Sequence, residues 1–152
     1  MSDFKAPVIQ GTLTKRGGKD LYGKNTWRLR HFQLHLSNES CTTTNNVNNS
    51  KSVLKYYASE PKDFGYNTQP KGSFSITSKS TVITLEDEKS LEEHGLGQKY
   101  VGKKLFAFYS KTDVNVKEIN SGVSNSVVVC ECETQQVLQE WVTALSDAIQ
   151  RE

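Results

Sequence analysis

The chain is predicted to be mainly β with one C-terminal helix: a seven-stranded bent antiparallel sheet or partly open barrel, capped at one end by the helix. Three observations carry this. Short strand-like segments, the first two of them alternating with period two, recur as far as Cys132. A sustained apolar stripe of period 3.6 occurs only at the C-terminal end. The order, strands first and one helix last, leaves that stripe only the sheet to pack against.

Ile9 to Lys15 alternates, with Ile9, Gly11, Leu13 and Lys15 on one side. Trp27 to Leu36 alternates over a longer run: Arg28, Arg30, Phe32, Leu34 and Leu36 share one face, Trp27, Leu29, His31, Gln33 and His35 the other. Between them, Arg16 to Thr26 holds three glycines and no apolar period, and reads as a long hairpin loop. Residues 37–52 are small and polar, a flexible insertion too poor in apolar surface to offset its ordering entropy. Strand character resumes at Val53 to Ala58, then at Ser73 to Thr77 and Thr81 to Leu85, with a Pro- and Gly-punctuated loop at Glu60 to Lys71. Glu86 to Lys103 reads as a polar connection with a short helical turn at Lys89 to His94. Lys104 to Ser110 and Val127 to Cys132 complete the strands, separated by a polar loop. From Thr134 to Ile149 the apolar residues Val137, Leu138, Trp141, Ala144, Leu145, Ala148 and Ile149 form one helical stripe, with Thr134 placed to cap its start. Residues 1–8 read as a tail and 9–150 as one domain.

With 152 residues, of which 35% are hydrophobic and 24% charged, the chain suits one globular domain. Its net charge of +2 is too small for a protein that coats nucleic acid, and no apolar run approaches the ~20 residues of a membrane span. The first residues, MSDFK, lack the apolar core of a secretion signal, so the expected location is the cytoplasm and the three cysteines are expected as free thiols. His31, His35, His94, Cys41, Cys130 and Cys132 show no metal-ligand spacing, and Gly17-Gly18 lacks the Gly-Lys-Ser/Thr ending of a phosphate loop. No catalytic constellation stands out, and no metal or cofactor is expected. The aromatic run Leu105 to Tyr109 lacks the strand–helix alternation of a nucleic-acid stacking sheet, so it is read as core.

Charge is uneven. Positions 15–30 hold six basic residues against Asp20, a local +5, so the remaining 136 residues sum to −3. Leu85 to Glu93 alone carries five acids against one lysine.

The opening pair, Gly11-Thr12-Leu13-Thr14-Lys15 followed by Thr26-Trp27-Arg28-Leu29-Arg30-His31-Phe32-Gln33-Leu34, together with a C-terminal helix centred on Trp141, resembles the pleckstrin homology (PH) domain over Ile9 to Ile149. The insertion, the acidic segment and His31 at a usually aromatic position depart from the family's commonest form. Lys15, Arg28 and Arg30 resemble the K-x(n)-[KR]-x-R pattern of its phosphoinositide-binding subset. The physical logic is independent: Arg28 and Arg30 share a face, guanidinium forks grip phosphate, and a lysine adds a point charge. A charged group on an apolar face needs a partner, either an internal acid or a ligand phosphate. The resemblance adds Tyr56, whose other reading is a packed strand aromatic, and Lys71; Arg16, Lys19, Lys24 and Asn125 are weaker additions. Leu21 and Tyr22 at the loop tip are candidates for contact with a lipid interface.

The expected function is a phosphoinositide-binding membrane-recruitment module at the inner face of the plasma membrane. Its implied preference is for 3-phosphorylated lipids, phosphatidylinositol 3,4,5-trisphosphate or 3,4-bisphosphate. The alternative is a protein-interaction adaptor of the same fold; neither catalysis nor nucleic-acid binding is expected.

Overall fold

The computed structural model describes residues 7–22, 24–36, 52–60, 69–121 and 126–152. Seven strands, β1 (Ile9–Lys19), β2 (Asn25–His35), β3 (Val53–Tyr57), β4 (Gly72–Ser75), β5 (Thr81–Thr84), β6 (Leu105–Tyr109) and β7 (Val127–Glu131), form one antiparallel sheet in the order β4-β3-β2-β1-β7-β6-β5. Two meanders are thus joined through β1 and β7, by a short pairing of Thr14 with Glu131 and Lys15 with Cys130. β4 and β5, neighbours in sequence, lie at opposite edges of the sheet. Phe74 of β4 nevertheless meets Phe108 of β6 edge-on at 6.3 Å, so the sheet bends over itself. This is the expected architecture.

The concave side is filled by alternating residues of both meanders: Leu13, Phe32, Leu34, Leu54, Phe74, Phe106 and Phe108. The stripe of α3 (Gln135–Arg151) closes it with Leu138, Trp141, Leu145 and Ala148. Trp141 is only 2% exposed and meets Phe32 edge-on at 6.4 Å. Thr134 caps α3, its hydroxyl accepting from the Val137 N–H at 3.1 Å. Cys130 and Cys132 are buried free thiols in this core, and burial pushes both pKa values up.

The convex side differs from expectation. Residues 86–103 are more than a polar connection: Leu91 of α1 (Glu88–Glu93) and Leu96 bury against Leu85, Leu105, Ala107 and Val129 as a second core, with Trp27, Tyr100 and Tyr109 packed beside it. Asp87 caps α1 by accepting from the Ser90 N–H at 2.9 Å, and Gly95 takes a positive φ of 74° as the chain leaves it. The loop after β6 contains another short helix, α2 (Val116–Ser121). Two covered faces explain why β6 and β7 read as nearly continuous apolar runs rather than as alternation.

Most of the expected insertion, residues 37–51, lies outside the described residues, as do residues 1–6 of the tail. Its last residue is corrected: Ser52 is buried, its hydroxyl donates to Glu152 Oε2 at 2.7 Å, and its carbonyl accepts from Ile76 at 3.0 Å.

Candidate binding site at the barrel mouth

The hairpin that frames the mouth is longer-armed and tighter-tipped than the sequence implied. β1 runs on to Lys19 and β2 begins at Asn25, with a register shift between Arg16 and Lys19 around Gly17-Gly18. A Cβ at 17 would stand 2.9 Å from Thr26 Oγ1, so any larger residue there would have to displace that hydroxyl. The tip is built on Asp20, whose Oδ1 accepts from the N–H groups of Tyr22 (2.8 Å) and Lys24 (2.9 Å), while its own N–H donates to the Lys24 carbonyl at 2.8 Å.

Register brings four of the expected site residues to one face. Lys15 pairs with Arg28, Leu13 with Arg30, Phe32 with Tyr56, and Tyr56 with Gly72. Leu13 and Phe32 are core residues of the concave side, so Lys15, Arg28, Arg30 and Tyr56 form the rim of that side. Lys15 Nζ lies 5.1 Å from the centroid of the Tyr56 ring and donates to the Arg16 carbonyl at 3.0 Å. Burial, then the nearby Arg30 and Arg16 charges, lower the Lys15 pKa from its ordinary value, against an opposing effect of Cys130. Arg30 is half-buried and donates to the Leu29 carbonyl at 3.0 Å; Arg28 is exposed.

Tyr56 stacks between Phe32 (5.4 Å) and Phe74 (6.1 Å), and burial raises its pKa while Arg30 opposes the rise. Both sequence readings of Tyr56 therefore meet in one residue: its ring packs on the sheet and its edge belongs to the rim. Gly72 makes room for it, since a Cβ there would fall 2.5 Å from the ring. The exposed Lys71 adjoins just before β4, its N–H donating to the Tyr56 carbonyl at 2.7 Å. Among the described residues, no carboxylate pairs with Lys15, Arg28, Arg30 or Lys71.

Arg16 is a correction. Strand alternation turns it to the convex side, where it is 2% exposed and its guanidinium donates to the carbonyls of His94 and Ile119. It ties the back of the hairpin to the segments after β5 and β6, and does not join the rim. Lys24 is exposed at the tip, next to Tyr22 and Leu21. For Lys19 the strand pairing with Asn25 is described but not its side chain, and Asn125 lies outside the described residues.

A groove on the convex side, about 780 Å³, is lined by Thr12, Leu29, Val101 and Lys104 together with Glu131 and Glu133. Its mixed charges distinguish it from the mouth, where the described residues include cations without paired acids. Among the described residues no cluster of His, Cys, Asp and Glu could hold a metal ion, and no helix is long and apolar enough to cross a membrane.

No family model matches the sequence, and no curated protein matches it. Solved structures do. The C-terminal PH domain of pleckstrin in complex with D-myo-Ins(1,2,3,5,6)P5 is similar with a TM-score of 0.55 at 18% identity, over 96% of this chain and 99% of that one. The same domain in complex with D-myo-Ins(1,2,3,4,5)P5 gives 0.52 at 17%, over 94% and 98%. The ORP8 PH domain gives 0.54 at 13% identity, over 96% and 98%. The fold of this chain is that of a PH domain.

Proposed function

We propose that this PH-fold chain is a phosphoinositide-binding module whose barrel mouth holds the inositol phosphate headgroup. The observation that carries the reading is the rim itself: Lys15, Arg28 and Arg30 share one face beside Tyr56 and Lys71, with no described carboxylate to neutralise them. A cluster of like charges, with Lys15 and Arg30 half-buried in it, is costly when empty and favourable when an anion enters. Arg28 and Arg30 offer planar forks for bidentate bonds to phosphate, Lys15 a point charge over the Tyr56 ring, and Tyr56 a hydroxyl donor. Lys71 approaches from the other side. Five donors suit a headgroup with several phosphates, so the preferred ligands are phosphatidylinositol 3,4,5-trisphosphate and 3,4-bisphosphate. The pleckstrin domain of like fold, crystallised with inositol pentakisphosphates, supports the same class of ligand. The module acts by binding, not catalysis, and its work is recruitment from the cytoplasm to the inner face of the plasma membrane.

The test is a vesicle panel spanning all phosphoinositides, run with wild type, Arg28→Ala, Arg30→Ala and Arg30→Lys. Each alanine variant is expected to lose about tenfold or more, since a charge-assisted hydrogen bond contributes about 1.5–3 kcal/mol. Arg30→Lys keeps the charge, loses the fork, and is expected to fall between. Folded alanine variants that bind every vesicle as wild type does would overturn the site and favour a protein-interaction adaptor.

A further inference from the structure

The groove on the convex side lies where the second layer stops. Trp27 is packed beneath that layer, whereas Leu29, two residues further along the same face of β2, is 64% exposed. Val101, 48% exposed, lines the groove with it. Neither side chain belongs to a core. The turn that carries Val101 is firmly built. Val101 has φ −62° and ψ 131°, Gly102 has φ 92°, and the Lys103 N–H donates to the Tyr100 carbonyl at 3.1 Å. This is a type II turn, in which the second central position favours glycine. At its foot the Tyr100 hydroxyl accepts from Trp27 Nε1 at 3.0 Å. Sheet and braced turn thus present two apolar side chains to one groove, and folding has no use for either.

The charges beside them decide what fits. Lys103 and Lys104 follow the turn; Glu131 ends β7 and Glu133 comes just after it. The Cys132 N–H donates to the Lys104 carbonyl at 2.7 Å and holds the two segments side by side. Among the described residues, none of these four side chains makes a hydrogen bond or an ion pair. The patch is therefore neutral, with its signs divided between two adjoining bands. A second copy of the chain, related by a two-fold axis through the groove, lays its lysine band on the glutamate band of the first and receives the same in return. Val101 of each copy then stands beside Leu29 of the other. The cationic rim and the acidic face of α1, with Glu88, Glu92 and Glu93 exposed, would each repel their own copy.

We infer that the convex groove is the interface of a symmetric homodimer. The rims lie on the concave side, so the dimer keeps both mouths open. Sedimentation velocity of the full chain from about 1 µM to about 1 mM tests this. The patch is small, so a weak dimer is expected, half-formed at about 10–300 µM. Wild type that stays monomeric at about 1 mM would overturn the inference and leave the groove to a different protein. The double variant Lys103→Glu, Lys104→Glu makes the patch wholly acidic, and Glu131→Lys, Glu133→Lys makes it wholly basic. Each alone is expected to remain monomeric, and an equimolar mixture to restore the dimer. Variants that dimerise alone as wild type does, or a mixture that restores nothing, would overturn the interface. Lys104 and Glu131 are half-buried, so far-UV circular dichroism must show each variant folded. Val101→Asp decides the matter without them, because it changes only an exposed turn position. It sets two acids near the axis and is expected to weaken association about tenfold or more; unchanged association would overturn the proposal.

Discussion

Lys15 and Arg16 are consecutive cations of one strand with opposite fates. Lys15 faces the concave side at its rim, beside Arg30 and the Tyr56 ring, with no described acid to pair with. Arg16 faces the convex side, where the carbonyls of His94, just after α1, and Ile119, within α2, accept from its two terminal nitrogens. The same charge is left open to a ligand on one side and used up as a strut on the other. Composition counts the two alike; only strand alternation and the chain folded over each face distinguish them.

The largest effects should come from the two cores that define those sides. Trp141→Ala removes the centre of the helix stripe and is expected to cost about 3–5 kcal/mol; Leu91→Ala, in the convex core, should cost about 2–5 kcal/mol. Urea titration followed by far-UV circular dichroism checks both. If the two sides form one cooperative unit, each variant shifts a single transition. Two separate transitions in Leu91→Ala would show that the convex layer is a satellite and that the mouth stands without it.

A side-by-side replacement of the neighbouring cations comes next. Arg16→Met leaves two carbonyls without their donor, at about 1–3 kcal/mol for each that stays buried. Lys15→Met should leave melting nearly unchanged, because the rim loses a like charge, while headgroup affinity drops about tenfold. Calorimetric melting and headgroup titration of the same two proteins decide the matter. The contrast fails if Lys15→Met melts lower than Arg16→Met.

That contrast also marks what the sequence makes legible. Alternation in Trp27 to Leu36 predicts which residues face the concave side, hence the Lys15, Arg28 and Arg30 face; the α3 stripe predicts the burial of Trp141. These are local periodicities, readable without knowing the partner. The role of Arg16 depends on carbonyls of His94 and Ile119, far along the chain, which no local pattern announces. The convex core escaped for a related reason: Leu91 and Leu96 are isolated apolar residues in an acidic segment, and burial of so few side chains leaves no periodic signature. The cue lies in Leu105 to Tyr109 and Val127 to Cys130, whose unbroken apolar runs imply cover on both faces. The arms of the hairpin were underestimated because Gly17-Gly18, read as loop, forms an irregularity within a continuing ladder.

The two sides should also answer differently to acid. His94, buried against Arg16 and Tyr109, has its pKa lowered from 6.5 chiefly by burial, with the Arg16 charge acting in the same direction and the Ser90 carbonyl and Glu93 opposing. His31 and His35 are lowered as well, again chiefly by burial. A histidine depressed in the folded state takes up protons more readily unfolded. Its contribution is therefore full above 6.5 and is lost as pH falls from there toward the depressed value. Urea midpoints on either side of 6.5 are expected to show that loss, and His94→Gln to show a shallower one. Headgroup affinity of the protein that remains folded should not weaken over this interval, because no histidine belongs to the rim. An equally steep pH dependence in His94→Gln would exclude His94 as the source and leave His31 and His35.

The smallest expected effect sharpens the boundary of the mouth itself. Lys24 is exposed at the tip, and its contribution to vesicle binding should be long-range attraction to anionic lipid, not a phosphate bond. At low ionic strength Lys24→Ala should weaken vesicle binding about fivefold, the equivalent of roughly 1 kcal/mol, and leave the soluble headgroup almost unaffected. Near 1 M salt the screening length shrinks to about 3 Å and the difference from wild type should vanish, whereas the loss in Arg30→Ala should persist because that group is half-buried at the site of contact. A Lys24→Ala loss that survives high salt and appears on the soluble headgroup would place the tip lysine among the groups that grip phosphate. The mouth would then extend along the arm to the hairpin tip, beyond the rim that Lys15, Arg28 and Arg30 define.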